Sequence, residues 1–228
     1  MNIDNKGLYY FDEKSIGKEI VFSLGKLEIK SKFYEIIDNP FLIIKKSDNI
    51  NEDELLSMLL RFKDLYEHIE KTDLPVNYYK EKGIIKGQVI PYYEDSINLY
   101  NISKTKELDN LMNVYKKDDD KVHNLFLLYN DIVDIMEELY ENGIYYYDSN
   151  STNFVFKDNK VHLIDFDPKY VFFNKSKRRL IQTLAGIDDL VDRMNGRFLS
   201  HDEFIYMPRS FNGLRKHLVK IENRVRKK

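Results

Sequence analysis

Three residues with hard oxygen donors lie within eighteen positions of one another: Asp148, Asn153 and Asp165, in the stretch GIYYYDSNSTNFVFKDNKVHLIDFD. Carboxylate and amide oxygens suit a hard cation such as Mg²⁺, and a carboxylate can also take a proton from an attacking hydroxyl. Together these are the groups a magnesium–phosphate site needs. The Asp-to-Asn spacing of five carries little by itself. With 22 Asp and 20 Asn in 228 residues it is expected by chance about twice, and it occurs twice, at Asp119/Asn124 and Asp148/Asn153. Context separates the two. The second pair follows a helix ending at Gly143 and precedes two strand-like runs, FVF and VHLI, joined by Lys157-Asp158-Asn159-Lys160. That composition predicts a hairpin, whose open ends would bring Asn153 and Asp165 onto neighbouring strand ends, one short loop from Asp148.

The upstream chain must position this edge. Residues 20–45 alternate short apolar runs with charges, IVFSL, KLEIKSKFYEII and FLII, with a break at Gly25 and a turn expected at Asn39-Pro40. They predict three successive antiparallel strands. From Asn51 to Glu70 the period changes: Leu55, Leu59, Phe62, Tyr66 and Ile69 mark an amphipathic helix with Asn51 as its N-cap. A second hairpin, VNYYKEKGIIKGQVI, turns at Lys82-Gly83, and Pro91-Tyr92-Tyr93-Glu94-Asp95 ends the strand pattern.

Beyond that boundary the chain reads as mainly helical. A helix is expected near Ser103 or Thr105. The strongest follows the charged loop Lys116–Asp120, striped by Leu125, Leu128/Tyr129, Ile132, Ile135/Met136 and Leu139 and capped by Asn142-Gly143. Further helices are expected at about 176–195 and 211–225.

The chain can bury a real core, and its formal net charge of −2 exerts no bulk pull toward nucleic acid or membrane. No window approaches the ~18 apolar residues of a membrane span. The N-terminus lacks a basic region followed by an apolar stretch, so no signal peptide is expected and the cytoplasm is the expected location. The absence of Cys excludes disulfides, thiolate metal sites and cysteine nucleophiles. The five histidines show no ligand spacing. Residues 209–228 hold eight Lys/Arg and one acid, which is either a solvated helix face or a patch that steers an acidic substrate or partner.

The order and content of these segments resemble the protein kinase-like superfamily over roughly residues 20–170. ELYENGIYYYDSNSTNFVF is similar to that family's helix, Gly-Ile and HRDxxxxN catalytic loop, and LIDFD to its DFG segment. LGKLEIKSKFYEI is similar to the strand–loop–strand over the phosphates, FLIIK to the VAIK strand, and GQVIPYYEDSINL to the last strand and hinge. The resemblance implies an α+β, two-lobed kinase-like fold. Residues 1–91 would form a small antiparallel-sheet lobe, five strands and one helix, and residues 92–228 a mainly helical lobe. It implies ATP with Mg²⁺, or Mn²⁺ in its place, and transfer of the γ-phosphate to a hydroxyl of a protein Ser/Thr or a small molecule. Neither membrane nor nucleic acid is an expected partner.

Residue by residue, the resemblance makes Asp148 the proton acceptor and Asn153 and Asp165 the metal ligands. Lys45 would pair with the nucleotide phosphates. It is preferred to Lys46 because strand parity puts it on the face of Ile43. Gly25 would lie in the phosphate loop, and the backbone at Tyr92 and Tyr93 would meet adenine. Glu52, Glu54, Asp64 and Glu67 are alternative carboxylate partners for Lys45.

The chain also departs from the family pattern. Gly25 is the single glycine of the phosphate loop, Tyr146 and Tyr147 stand for His-Arg, Asn150 for Lys and Asp167 for the DFG glycine. The IDFD ending resembles aminoglycoside and choline phosphotransferases. The alternative implied by these departures is a weakly active or inactive module that binds nucleotide or scaffolds a partner.

Overall fold

The computed structural model describes residues 1–22, 31–99, 120–174, 176–195 and 209–226. The expected Gly25 loop and the expected helix near Ser103 or Thr105 lie outside the described residues. The chain is α+β and divides into two compact units, residues 1–94 with 164–169, and residues 95–163 with 170–228.

The first unit is built on a seven-stranded sheet. Its strands are β1 (Asn2–Ile3), β2 (Tyr9–Phe11), β3 (Ile16–Ile20), β4 (Lys32–Ile36), β5 (Asn39–Lys46), β6 (Asn77–Glu81) and β7 (Ile84–Pro91). The order is β1-β2-β6-β7-β5-β4-β3, and all pairs are antiparallel except β2 with β6. This is two strands more than the five expected: β1 and β2 have two and three residues, too few for alternation to register. The turn expected at Asn39-Pro40 falls one step earlier. Asp38 takes the left-handed conformation (φ 63°), and Asn39 and Pro40 open β5. The β6–β7 turn is where the sequence places it. Lys82 and Gly83 both have positive φ, 51° and 81°, as a two-residue primed turn requires.

One face of this sheet buries Phe11, Ile36, Ile44, Tyr79 and Val89. Cross-strand partners share a face, so Lys45, Gln88 and Tyr78 line the other. Helix α1 (Glu52–Leu65) starts at Asn51, whose side-chain oxygen accepts from the Glu54 N–H at 3.3 Å. It buries Leu55, Met58, Leu59 and Phe62. The expected helix to Glu70 stops short: the last turn tightens into a 3₁₀ segment at Tyr66–His68, and Tyr66 stays half exposed.

In the second unit α2 (Lys121–Glu141) carries the predicted stripe, all of it buried. Asp120 caps its start, accepting from the Val122 and His123 N–H groups at 2.8 and 3.0 Å. At its end Gly143 adopts φ 79°, and the Gly143 and Ile144 N–H groups close back onto Tyr140 and Leu139. Helices α3 (Lys177–Asn195) and α4 (Phe211–Val225) pack on α2. The basic character of α4 is partly internal pairing. Arg215 bonds Asp134 and Glu137 of α2, and Arg226 bonds Asp120 and Glu222. No helix among the described residues is long and apolar enough to cross a membrane.

A pH dependence follows from α4. His217 is buried, and burial, then Lys220 and Arg224, pull its imidazole below its ordinary value of 6.5. Above pH 6.5 the ring is neutral folded or unfolded and contributes nothing. As pH falls through 6.5 the unfolded chain takes the proton first, so folding is destabilised. The expected result is a drop in urea midpoint between pH 7.5 and 5.5 that is smaller in His217→Gln. Equal drops in the two proteins would refute the assignment.

Candidate active site

Around Asp148, five short strands of the second unit set the frame. β8 (Ile97–Asn98), β10 (Phe154–Lys157) and β11 (Lys160–Leu163) form one sheet; β9 (Tyr145–Tyr146) pairs with β12 (Val171–Phe172) in another. The predicted β10–β11 hairpin closes through Asp158 and Asn159, both at positive φ (49° and 60°), with Phe154 opposite Leu163 at its open end.

Between β9 and β10 the chain makes a tight loop. The Asn150 N–H donates to the Asp148 carbonyl (2.7 Å), and the Asn153 N–H to the Asn150 carbonyl (2.9 Å). Asn150 caps the single 3₁₀ turn Ser151–Asn153, which gives it a local structural use. Asn98 of β8 donates to the Thr152 carbonyl at 2.8 Å and ties this turn to the sheet.

The turn brings Asp148 and Asn153 together. Asn153 is buried, and its Nδ2 donates to the Asp148 carbonyl (2.9 Å), to Asp148 Oδ2 (3.0 Å) and to the Tyr146 hydroxyl (2.8 Å). The Thr152 hydroxyl donates to Asn153 Oδ1 at 3.2 Å. A carbonyl and a carboxylate only accept, so the amide nitrogen must face Asp148 and the amide oxygen must face away from it.

Lys45 and Asp165 meet in the first unit, 120 positions apart in sequence, with Lys45 Nζ 2.5 Å from Asp165 Oδ1. Both side chains are partly buried, at 14% and 30% exposure. Lys46, on the opposite face, pairs instead with Glu81 at 2.7 Å. That hydrogen bond raises the Lys46 pKa and lowers that of Glu81. Phe166 is buried edge-on to Phe62 of α1, ring centres 5.2 Å apart, which anchors the segment carrying Asp165. Asp167 folds back on its own turn, accepting from the Lys169 N–H and pairing with the Lys169 ammonium.

None of the expected partners, Glu52, Glu54 and Asp64 of α1 and Glu67 of the 3₁₀ segment, is the carboxylate on Lys45. All four are exposed, and the helix turns its apolar side inward. The Tyr92 N–H donates to the Phe41 carbonyl at 2.8 Å, so that donor extends the β5–β7 ladder rather than facing a base. The Tyr93 hydroxyl bonds Asp73.

Three features of these surroundings had no sequence signal. Gln88 is buried beside Lys45 on the same sheet face, and its Oε1 has no hydrogen-bond partner among the described residues. Ser149 is buried with its Oγ likewise unpartnered, in a space left by Gly186 of α3. Tyr147 stacks on Phe172 (5.4 Å, 15°), and Arg179 lies over the same ring at 4.0 Å. Each depends on residues distant in the chain.

No protein-family model matches the chain, and no curated protein does. Among solved structures it is similar to the crystal structure of a BubR1 kinase domain, with a TM-score of 0.56 and 13% identity, over 93% of this chain and 82% of that one. At that identity the likeness speaks to fold alone, and the fold is kinase-like.

Proposed function

We propose that the chain is an ATP- and Mg²⁺-dependent phosphotransferase that moves the γ-phosphate to a hydroxyl acceptor. The observation that carries this is the Lys45–Asp165 pair. Two residues to which the resemblance gives complementary roles, one as phosphate cation and one as metal ligand, lie in direct contact although 120 positions separate them.

Each unit carries a donor that suits a magnesium ion. In the first, Asp165 has a carboxylate; in the second, Asn153 has an amide oxygen whose nitrogen is already engaged; both are hard ligands. When bound, Mg²⁺ neutralises charge on the phosphates. Lys45 exchanges Asp165 for phosphate oxygens. Asp148 orients the acceptor hydroxyl and takes its proton, a contribution of about 10²–10⁴ in rate. No covalent enzyme intermediate is required, since positioning and charge supply the catalysis.

A nucleotide-binding module without turnover is the second reading, favoured by the fact that Lys45 and Asp165 already neutralise one another. Melting the protein with Mg·ATP at about 100 times its dissociation constant separates the cases, since binding then stabilises by about 2.7 kcal/mol. For a chain of this size that is a rise of roughly 5–10 °C. Stabilisation with phosphate transfer supports the enzyme, and stabilisation without it the module. No stabilisation sinks both.

A further inference from the structure

We infer that Tyr146 is a positioning residue for the metal ligand Asn153. This rests on the proposed function and goes beyond it in assigning a task to a tyrosine that is a departure from the resembled pattern.

Tyr146 is held at three points. Its backbone pairs with Val171 of β12, its carbonyl accepts from the buried Thr183 hydroxyl of α3 at 3.1 Å, and its ring is 1% exposed. The hydroxyl at the end of that fixed ring lies 2.8 Å from Asn153 Nδ2. An amide has two N–H groups, and three oxygens converge on this one: Tyr146 Oη, the Asp148 carbonyl and Asp148 Oδ2. Asp148 lies on a loop of one tight turn, whereas Tyr146 lies on a paired strand backed by a helix. The tyrosine is thus the rigid reference that sets the amide plane. With the nitrogen drawn to this side, Oδ1 faces away from Asp148, and beside the lone pair that takes the Thr152 hydroxyl it has a second for a hard cation. A second-shell group of this kind typically changes metal affinity 10–100-fold.

The test uses the full chain with a saturating non-hydrolysable ATP analogue. The melting temperature is followed as MgCl₂ is raised, for wild type, Tyr146→Phe and Asn153→Asp. Tyr146→Phe keeps the ring and removes the hydroxyl. It should require about 10- to 100-fold more Mg²⁺ for half the stabilisation, with the metal-free melting temperature close to wild type. A merely structural tyrosine would shift the metal-free value and leave the Mg²⁺ midpoint in place.

Asn153→Asp adds charge to the ligand but loses both donors to Tyr146 and Asp148. It too should bind Mg²⁺ more weakly than wild type, and it serves if Tyr146→Phe does not fold. Wild-type Mg²⁺ midpoints in either variant overturn the role of Tyr146 while leaving the phosphotransferase reading intact. A wild-type protein that shows no Mg²⁺-dependent stabilisation overturns both.

Discussion

Asp165→Asn is expected to lower phosphate transfer by about 10³-fold, because removing a preorganised charge that acts on the transferring group costs several kcal/mol of transition-state stabilisation. The substitution keeps the shape of the side chain and removes its charge. Its effect on stability is expected to be far smaller. The Lys45–Asp165 pair is partly exposed, and pairs of that kind contribute about 1 kcal/mol or less. Activity and stability should therefore separate. Lys45→Met alone should also lose activity, and the double variant should be hardly worse than either single one, since the proposed function has both residues act on one phosphate–metal unit. Rates in Asp165→Asn within a factor of ten of wild type, measured with Mg²⁺ at saturation, would remove Asp165 from the chemistry.

What could be read from the sequence divides by the range of the interaction. Helices α2 and α4 announce themselves through stripes such as Leu125–Ile132–Leu139 and Leu214–Leu218–Ile221, because burying one face of a helix is a local decision repeated every turn. The hairpin turns at Lys82-Gly83 and Asp158-Asn159 were legible for the same reason, since few residues accept positive φ. Strand parity was enough to separate Lys45 from Lys46, which the structure places on opposite faces with different acids. Parity could not name the acid. The resemblance left Glu52, Glu54, Asp64 and Glu67 open, but the inward face of α1 is apolar, through Leu55, Met58, Leu59 and Phe62. The Tyr146–Asn153 bond was hidden for another reason. A tyrosine within YYY reads as packing, and Tyr145, edge-on to Tyr140, is packing. Only the placement of the neighbouring hydroxyl distinguishes Tyr146.

The same limit hides Gly87, for which the largest stability effect is expected. It lies on β7 opposite Lys46 and next to the irregularity at Tyr79/Lys80, where the sheet backbones approach closely. A Cβ built there would come to 2.5 Å from the Lys45 carbonyl oxygen and 3.1 Å from the Lys45 carbonyl carbon. Those are backbone atoms of a central strand and cannot swing aside as a side chain would, so β5 must move. Overpacking of this kind costs about 3 kcal/mol, and in a chain of this length that lowers the melting temperature by roughly 6–12 °C. Gly83→Ala is the control. Its φ of 81° makes alanine unfavourable, but nothing lies within 4 Å, so the cost is confined to about 1–2 kcal/mol of backbone conformation. The two glycines therefore separate close approach from left-handed geometry. Gly87→Ala carries a second consequence that Gly83→Ala lacks: the displaced strand segment is the one bearing Lys45, so affinity for Mg·ATP should fall well below the melting transition, where the variant is still folded. A Gly87→Ala protein as stable as Gly83→Ala and with unchanged nucleotide affinity would show that β5 and β7 can part without disturbing Lys45.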